Sequence, residues 1–407
     1  MSDRIHSIDI LRGFAVLGIL IMNIMHFSMP KIAYLSPFVY EPNLLNHIVY
    51  CFSHIFADQK FMGIFSILFG ASTLLYINSL KQKGYKRPIW VYFRKNFWLI
   101  CIGTIHFTYI WGGDILILYG SLSYFLYFFK KVSNRTLLIL GFIIYFIPSG
   151  TNYFIYNNIA NEFEVEELNA IEKKWNPSEE QIQKELNLFR GKYLDQINYR
   201  ESKYDSKPIK NLAIILKETM FAIDFLSRAF GMMLIGMAMF KMNILNNSKS
   251  PSFYKKMVFF GFGFGIPLSI VGLILTYQFK SNANYLEFIS RIPNNIATPF
   301  IVFGYIGFIK LWVRTNVLNE LQDYLSSIGK MALTCYLLES MIATFIFYGY
   351  GLGFFGYISR IGQLFITLFI WMILISFTIF WKRRFKYGPL EWIWRCLTNF
   401  KLFSISK

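Results

Sequence analysis

Charge is scarce in this sequence, and so is cysteine. Only 16% of the 407 residues are charged, against about 25% in a soluble domain. With 55% hydrophobic and 19% aromatic residues, a water-soluble fold of this size is excluded, because it has no core large enough to hide that apolar surface. Four cysteines, Cys51, Cys101, Cys335 and Cys396, stand apart without a CxxC or other ligand spacing. Their scatter excludes a zinc site and a disulfide framework, and no metal is expected. Acidic residues are few, 23 against 41 basic, giving a net charge of +18. That excess does not imply nucleic acid, since the basic residues lie between hydrophobic blocks and not along one polar face. Asp3, Arg4 and His6 lead into a first span with no A-x-A cleavage site, so the segment reads as a retained helix and not a removed signal peptide.

What the sequence has instead is apolar blocks of roughly 20 residues, the length that crosses about 30 Å of hydrocarbon at 1.5 Å per residue. They cover 10–29, 61–80, 89–111, 115–129, 137–156, 212–240, 257–277, 297–312, 331–348 and 361–381. The expectation is an all-α integral membrane protein, a bundle of about ten transmembrane helices. Basic residues fall in alternate connections: 81–95, 130–135, 241–256, 310–314 and 382–386. By the positive-inside rule these face the cytoplasm, as do both ends of the chain, in a multi-pass cell-membrane protein with membrane lipid as its surroundings.

One segment breaks the pattern. Residues 161–210 carry eleven of the 23 acidic residues and nine basic ones, and divide the chain into a membrane half of five helices (1–160), a polar insert (161–210) and a second five-helix half with a cytoplasmic tail (211–407). Asn176-Pro177-Ser178-Glu179 carries a capping residue, proline at the first helical position and Glu at the third, so an amphipathic helix is expected to start there. The insert reads as a small extracytoplasmic helical cap, with a plain spacer as the alternative. Gly261, Gly263 and Gly265 form GxGxG inside an apolar helix with no preceding strand, which fits close helix packing and not a nucleotide loop.

A charge in lipid costs a few kcal/mol (about 2.5–3.5 on insertion scales), so the few ionisable residues near or within spans are the candidates for chemistry. His106 and Asp114 flank Trp111-Gly112-Gly113, a turn so short that the two helices run antiparallel with both side chains at one level. A carboxylate beside an imidazole fixes its tautomer and supports its charged form, which makes a proton-transfer pair; a structural hydrogen bond between helices is the plainer account. Asp224 and Arg228, four apart, share a helix face as an ion pair or line a substrate route. Glu339 has no partner nearby in sequence. Asp58, with His26, His47 and His54, lies on the same expected outer side. Asp9 and Arg12, at the start of the first span, either anchor the helix end or place Arg12, with the basic 81–95 loop, to meet a phosphorylated cytosolic donor.

Ile8-Asp9-Ile10-Leu11-Arg12-Gly13-Phe14-Ala15 with Asn23, then Lys60-Phe61, Leu68-Phe69-Gly70-Ala71, His106 with Gly113-Asp114-Ile115-Leu116, Gly231-Met232-Met233-Leu234-Ile235-Gly236, Gly329-Lys330-Met331-Ala332-Leu333-Thr334 and Gly388-Pro389-Leu390-Glu391-Trp392 together resemble the YeiB-like bacterial membrane proteins along nearly the whole chain. The Asp-x-x-Arg-Gly opening is also similar to that of transmembrane acyltransferases, including the enzymes that acetylate glucosamine across a lysosomal membrane. That resemblance implies a cytosolic acyl-CoA as donor, Asp9 and Arg12 on the donor side, and His106 with Asp114 at the outer site. In the glucosamine enzymes the outer histidine precedes the second span, where this chain offers His47 and His54. Glu339 stands where the YeiB-like pattern often has Gln, and Cys335 where Asn is usual.

The expected function is therefore membrane-bound acyl transfer from acyl-CoA to a hydroxyl or amine of a small-molecule or envelope-glycan acceptor. The alternatives are a transporter whose route is lined by Asp58, Asp224, Arg228 and Glu339, or a non-catalytic partner docked through the insert. A homo-oligomer is compatible with all of these. For the enzyme reading to hold, His106, Asp114 and Asp58 must surround one common pocket.

Overall fold

A computed structural model describes residues 3–38, 43–160, 163, 165–202, 212–315 and 317–407. Positions 161, 162, 164 and 203–210 of the expected insert lie outside the described residues. The described chain is helical, and its one β-type pairing among those residues is the isolated bridge between Phe385 and Ser406.

Local sequence sets most of the helix ends. Helix α1 (Asp3–Ser28) stops just before Pro30 and is followed by the short α2 (Lys31–Leu35). Helix α3 (Leu44–Phe56) starts at Asn43, whose side chain accepts from the Asn46 amide, and turns through Gln59 into α4 (Lys60–Gln82). Pro88 opens α5 (Pro88–Ile105), which runs into one π turn, His106–Ile110, before α6 (Leu116–Leu126). Ser133 caps α7 (Asn134–Asn158) by accepting from the Thr136 amide. Next come α8 (Val165–Trp175), α9 (Glu179–Arg190), α10 (Tyr193–Ser202) and the long α11 (Leu212–Lys241). Ser250 and Pro251 open α12 (Pro251–Gln278), a cap-plus-proline start. It is followed by α13 (Ala283–Phe288) and α14 (Ile292–Trp312). The last four are α15 (Asn319–Lys330), α16 (Ala332–Phe347), α17 (Arg360–Arg384) and α18 (Pro389–Asn399).

Each of the ten apolar blocks is helical. Among the described residues seven helices are long and apolar enough to cross a membrane, and α15 with α16, bent by 88° at Met331, makes an eighth if counted as one span. The block at 89–111 is divided between α5 and the π turn, and the block at 115–129 is a short helix that packs antiparallel to α5.

Helix α1 is the central post, packed by α4, α14, α15, α16 and α17. In lipid the helices gain little from burying apolar surface, so close approach of backbones must hold them. Gly13 on α1 and Gly329 on α15 make that approach: a Cβ added at Gly13 would sit 1.9 Å from the Leu325 carbonyl oxygen, and one at Gly329 1.8 Å from that of Asp9. Close packing is also the role of Gly261 and Gly265, where a Cβ would meet Gly304 N and Ile301 Cγ1, each at 2.5 Å, on α14; Gly263 points away, into open space. Trp371 of α17 donates to the Leu17 carbonyl of α1 and Lys382 to Ser327 of α15, so α17 returns antiparallel to α1 and brings the C-terminal tail to the end where α1 begins.

The polar segment folds onto the bundle. The expected helix start shifts by two residues: Ser178, not Asn176, caps α9 through a reciprocal box with Gln181, while Asn176 donates to Glu172 at the end of α8. A Ser with Gln three residues on satisfies two amides at once, and that is the stronger local solution. Ile182, Leu186 and Phe189, spaced as one helical face, pack into the main core.

Candidate functional site

Three polar constellations are built into the bundle. The first follows from the π turn. Widening the helix there leaves carbonyls unspent, and two are taken by α10: Tyr193 Oη donates to Tyr109 O at 2.6 Å, and Arg200 Nη1 to Ile110 O at 2.9 Å. His106, first residue of the turn, faces Asp114 across Gly112 and Gly113. Its Nδ1 lies 2.7 Å from Asp114 Oδ2, and both side chains are fully buried. The other carboxylate oxygen accepts from the Ile117 amide at 2.8 Å, so Asp114 also caps α6. The sequence-expected pair therefore forms. Among the described residues His106 Nε2 has no hydrogen-bond partner, and neither has Glu339 Oε1 on α16. The Tyr336 ring lies 5.3 Å from the imidazole, with Glu339 one turn further along the same helix. Two buried polar atoms left bare in one region are uncommon, because each forfeits its hydration.

The second constellation gathers at the far end of the bundle from the chain termini. Asp58, in the turn between α3 and α4, is buried. It accepts from Arg291 Nη2 at 2.9 Å, Asn294 Nδ2 at 3.2 Å and Tyr34 Oη at 3.3 Å, and His54 Nδ1 stands 3.5 Å away. Lys60, wholly buried, donates to the His54 carbonyl at 2.6 Å and to Asn294 Oδ1 at 2.5 Å. Asp58, His54 and Arg291 line a cavity of about 20 Å³ together with Tyr34, Tyr50 and Trp175. That is room for about one water molecule. Beside it, Arg228 pairs with Asp224 as expected, and also donates to Gln59 and Asn295.

His106 and Asp114 do not line this cavity. Trp111 stands between, its ring centroid 6.3 Å from His106 and 6.4 Å from His26, which in turn stacks on Tyr34 at 4.0 Å. The single pocket expected for the enzyme reading is not formed: the residues make two sites separated by an indole, which leaves Asp58 outside and His106 with Asp114 alone to carry that chemistry. Of the alternative histidines, His47 binds Tyr277 Oη through Nδ1 at 2.7 Å, while His54 belongs to the Asp58 cluster. Sequence reasoning did not single out Lys60, Arg291 and Asn294. The signal was there in Lys60 just ahead of one apolar block and the Asn294-Asn295 pair just ahead of another.

The third constellation is at the end where α1 begins. Arg12 Nη1 donates to Asp9 at 3.0 Å and to the Gly329 carbonyl at 3.2 Å, and keeps about a quarter of its side chain exposed. Lys95 of α5 sits over Tyr76 and Trp394 at 4.3 and 4.7 Å. Among the described residues no group of three His, Cys, Asp or Glu could hold a metal ion.

A helical membrane protein whose bundle holds a buried His–Asp pair and a separate buried ionic cluster is the class these features define. Residues 239–401 match the family described as "Protein of unknown function (DUF418)". Over nearly its whole length the chain is similar to the uncharacterized protein YeiB of Escherichia coli (strain K12), at 27% identity across 97% of this chain and 96% of that one. It is also similar to the uncharacterized protein YxaH of Bacillus subtilis (strain 168), at 29% identity across 100% and 97%. An uncharacterized 39.9 kDa protein in the amylase 3' region of Bacillus acidopullulyticus is 26% identical across 100% and 96%. These likenesses support a YeiB-like family. No solved structure matches the chain.

Proposed function

We propose that this chain is a multi-pass cell-membrane acyltransferase of about ten spans with cytoplasmic termini, moving an acyl group from cytosolic acyl-CoA to a hydroxyl or amine on the other face. The observation that carries the reading is the His106–Asp114 pair, joined at 2.7 Å with Nε2 bare. Asp114 holds the imidazole tautomer and supports the imidazolium as it forms. Nε2 takes the acceptor's proton as its oxygen or nitrogen attacks the thioester carbonyl, and returns that proton to the departing thiolate. Arg12, propped by Asp9 and Gly329, meets a donor phosphate. In this conformation Nε2 is enclosed, so the acceptor reaches it when the π turn rearranges, and α10 holds that turn.

The test is acyl transfer from acetyl-CoA and longer acyl-CoAs by the full chain in nanodiscs. Asp114→Asn keeps the Oδ1 cap of α6 and is expected to lower the rate on the order of 100-fold, as is His106→Ala; Arg12→Ala is expected to weaken donor binding. Folded variants that transfer as well as wild type would end the proposal.

Transport is the second reading, favoured by the run of charged residues Asp58, Arg291, Arg228 and Asp224, buried or half-buried on neighbouring helices. Solute flux into proteoliposomes without any acyl donor would favour it.

A further inference from the structure

The Asp58 cluster does not balance its charge. Two cations, Lys60 and Arg291, bear on one carboxylate, and among the described residues no second carboxylate contacts either of them. Arg228 and Asp224 alongside are already paired with each other. A surplus positive charge in a low-dielectric interior costs several kcal/mol unless an anion or strong acceptors meet it. Lys60 has only a carbonyl and an amide oxygen, each a neutral acceptor.

The cluster also opens toward a ligand. Arg291 keeps a third of its side chain exposed although its carboxylate partner is buried. His54 lines the cavity with Nε2 unpartnered among the described residues, its side chain nine-tenths buried. Four of the five hydroxyls around the space have spent their protons: Tyr50 on the Leu35 carbonyl, Ser290 on that of Leu286, Thr276 on that of Gly272, and Tyr34 on Asp58 itself. The space of about 20 Å³ admits one oxygen-sized group and no more, so the body of any ligand must lie outward. On that side α3 turns Leu44, Leu45, Ile48 and Phe52 away from the protein while its Tyr50, Ser53 and His54 face the cavity.

We propose that the Asp58 cluster is an oxyanion-binding subsite: Arg291 and His54 receive the terminal oxygen of a phosphate or carboxylate group, and Lys60 supplies the positive charge that Asp58 leaves uncompensated. The oxyanion comes from a lipid headgroup reaching in beside α3 or from a soluble solute. The site goes beyond the acyl-transfer reading and does not depend on His106.

The experiment uses the full chain in phosphatidylcholine nanodiscs, and follows the thermal unfolding midpoint against inorganic phosphate at ionic strength matched with chloride. A second arm replaces part of the phosphatidylcholine with phosphatidylglycerol. A saturable rise with phosphate identifies a soluble oxyanion, and a rise confined to phosphatidylglycerol identifies a headgroup. In whichever arm responds, Lys60→Met is expected to weaken the apparent affinity about tenfold, and Asp58→Asn, which removes the competing carboxylate, to tighten it about tenfold. The two opposite shifts keep the test decisive if either variant fails to fold. No response in either arm, or a response that the folded variants leave unchanged, overturns the proposal.

Discussion

Replacing Gly329 by alanine tests the geometry on which the bundle's centre depends. The new methyl would lie 1.8 Å from the Asp9 carbonyl oxygen and 2.9 Å from the Gly13 amide nitrogen, both backbone atoms that no rotamer change can move aside. Real Cβ atoms do not approach closer than about 3 Å, so α15 must retreat from α1 by about 1.2 Å, or the bend at Met331 must open. Overpacking of this kind costs about 1–3 kcal/mol. Moving Gly329 also pulls its carbonyl away from Arg12, a charge-assisted bond worth about 1.5–3 kcal/mol. A total loss of about 2.5–6 kcal/mol is expected, read as reversible unfolding in detergent micelles against increasing denaturing detergent. Gly13→Ala meets the Leu325 carbonyl across the same contact. The double variant should therefore lose clearly less than the sum of the two, because the second methyl enters a gap the first has opened. Gly263→Ala is the control, with nothing within 4 Å of its new methyl, and should be neutral within about 0.5 kcal/mol. If Gly329→Ala is as well tolerated as Gly263→Ala, or if the two central substitutions add fully, the backbone contact does not hold α1 to α15 and the reasoning fails.

Other expectations concern the edges of the candidate sites. Arg200→Ala frees the Ile110 carbonyl and removes about 1 kcal/mol of support from the π turn; hydrogen exchange of the amides at 107–111 should speed up about fivefold while α9 stays protected, and unchanged exchange would show that α10 does not hold the turn. Glu391 of α18 accepts from the Leu333 and Thr334 amides at 2.8 and 3.1 Å, capping α16 from outside its own sequence, so Glu391→Ala should destabilise by about 1–2 kcal/mol. Burial pushes the Glu391 carboxyl up from its ordinary value. A group raised in the folded state contributes its stability fully below the unfolded pKa, about 4.3, and loses it as pH rises through the folded one. The unfolding midpoint of wild type relative to Glu391→Gln should accordingly fall across that rise, and a difference that stays flat with pH would contradict the burial argument.

Much of the architecture was legible because lipid leaves the chain few choices. Backbone groups in hydrocarbon must bond within helices, so apolar blocks of spanning length become helices wherever they occur, and all ten did. The His106–Asp114 pair was legible for a related reason, since two glycines after Trp111 leave no room for anything but an antiparallel return. The Asp224–Arg228 pair followed from helical spacing alone. The start of α9 was misplaced by two residues because Asn176 and Ser178 are both good capping residues, and only the match with Gln181 chose between them.

The sequence by itself determined that this chain is helical, that it is built to cross a membrane several times, and which short-range polar pairs it forms. Tertiary structure alone decided that Asp58 meets Arg291 and Asn294, more than 230 positions away, and that Trp111 divides His106 with Asp114 from the Asp58 cluster. It also decided that Glu391 caps a helix it does not belong to. The physical reason is range: helix formation and i, i+4 contacts are fixed by neighbours along the chain, whereas a buried charge finds its partner only where helices distant in sequence are brought to the same depth.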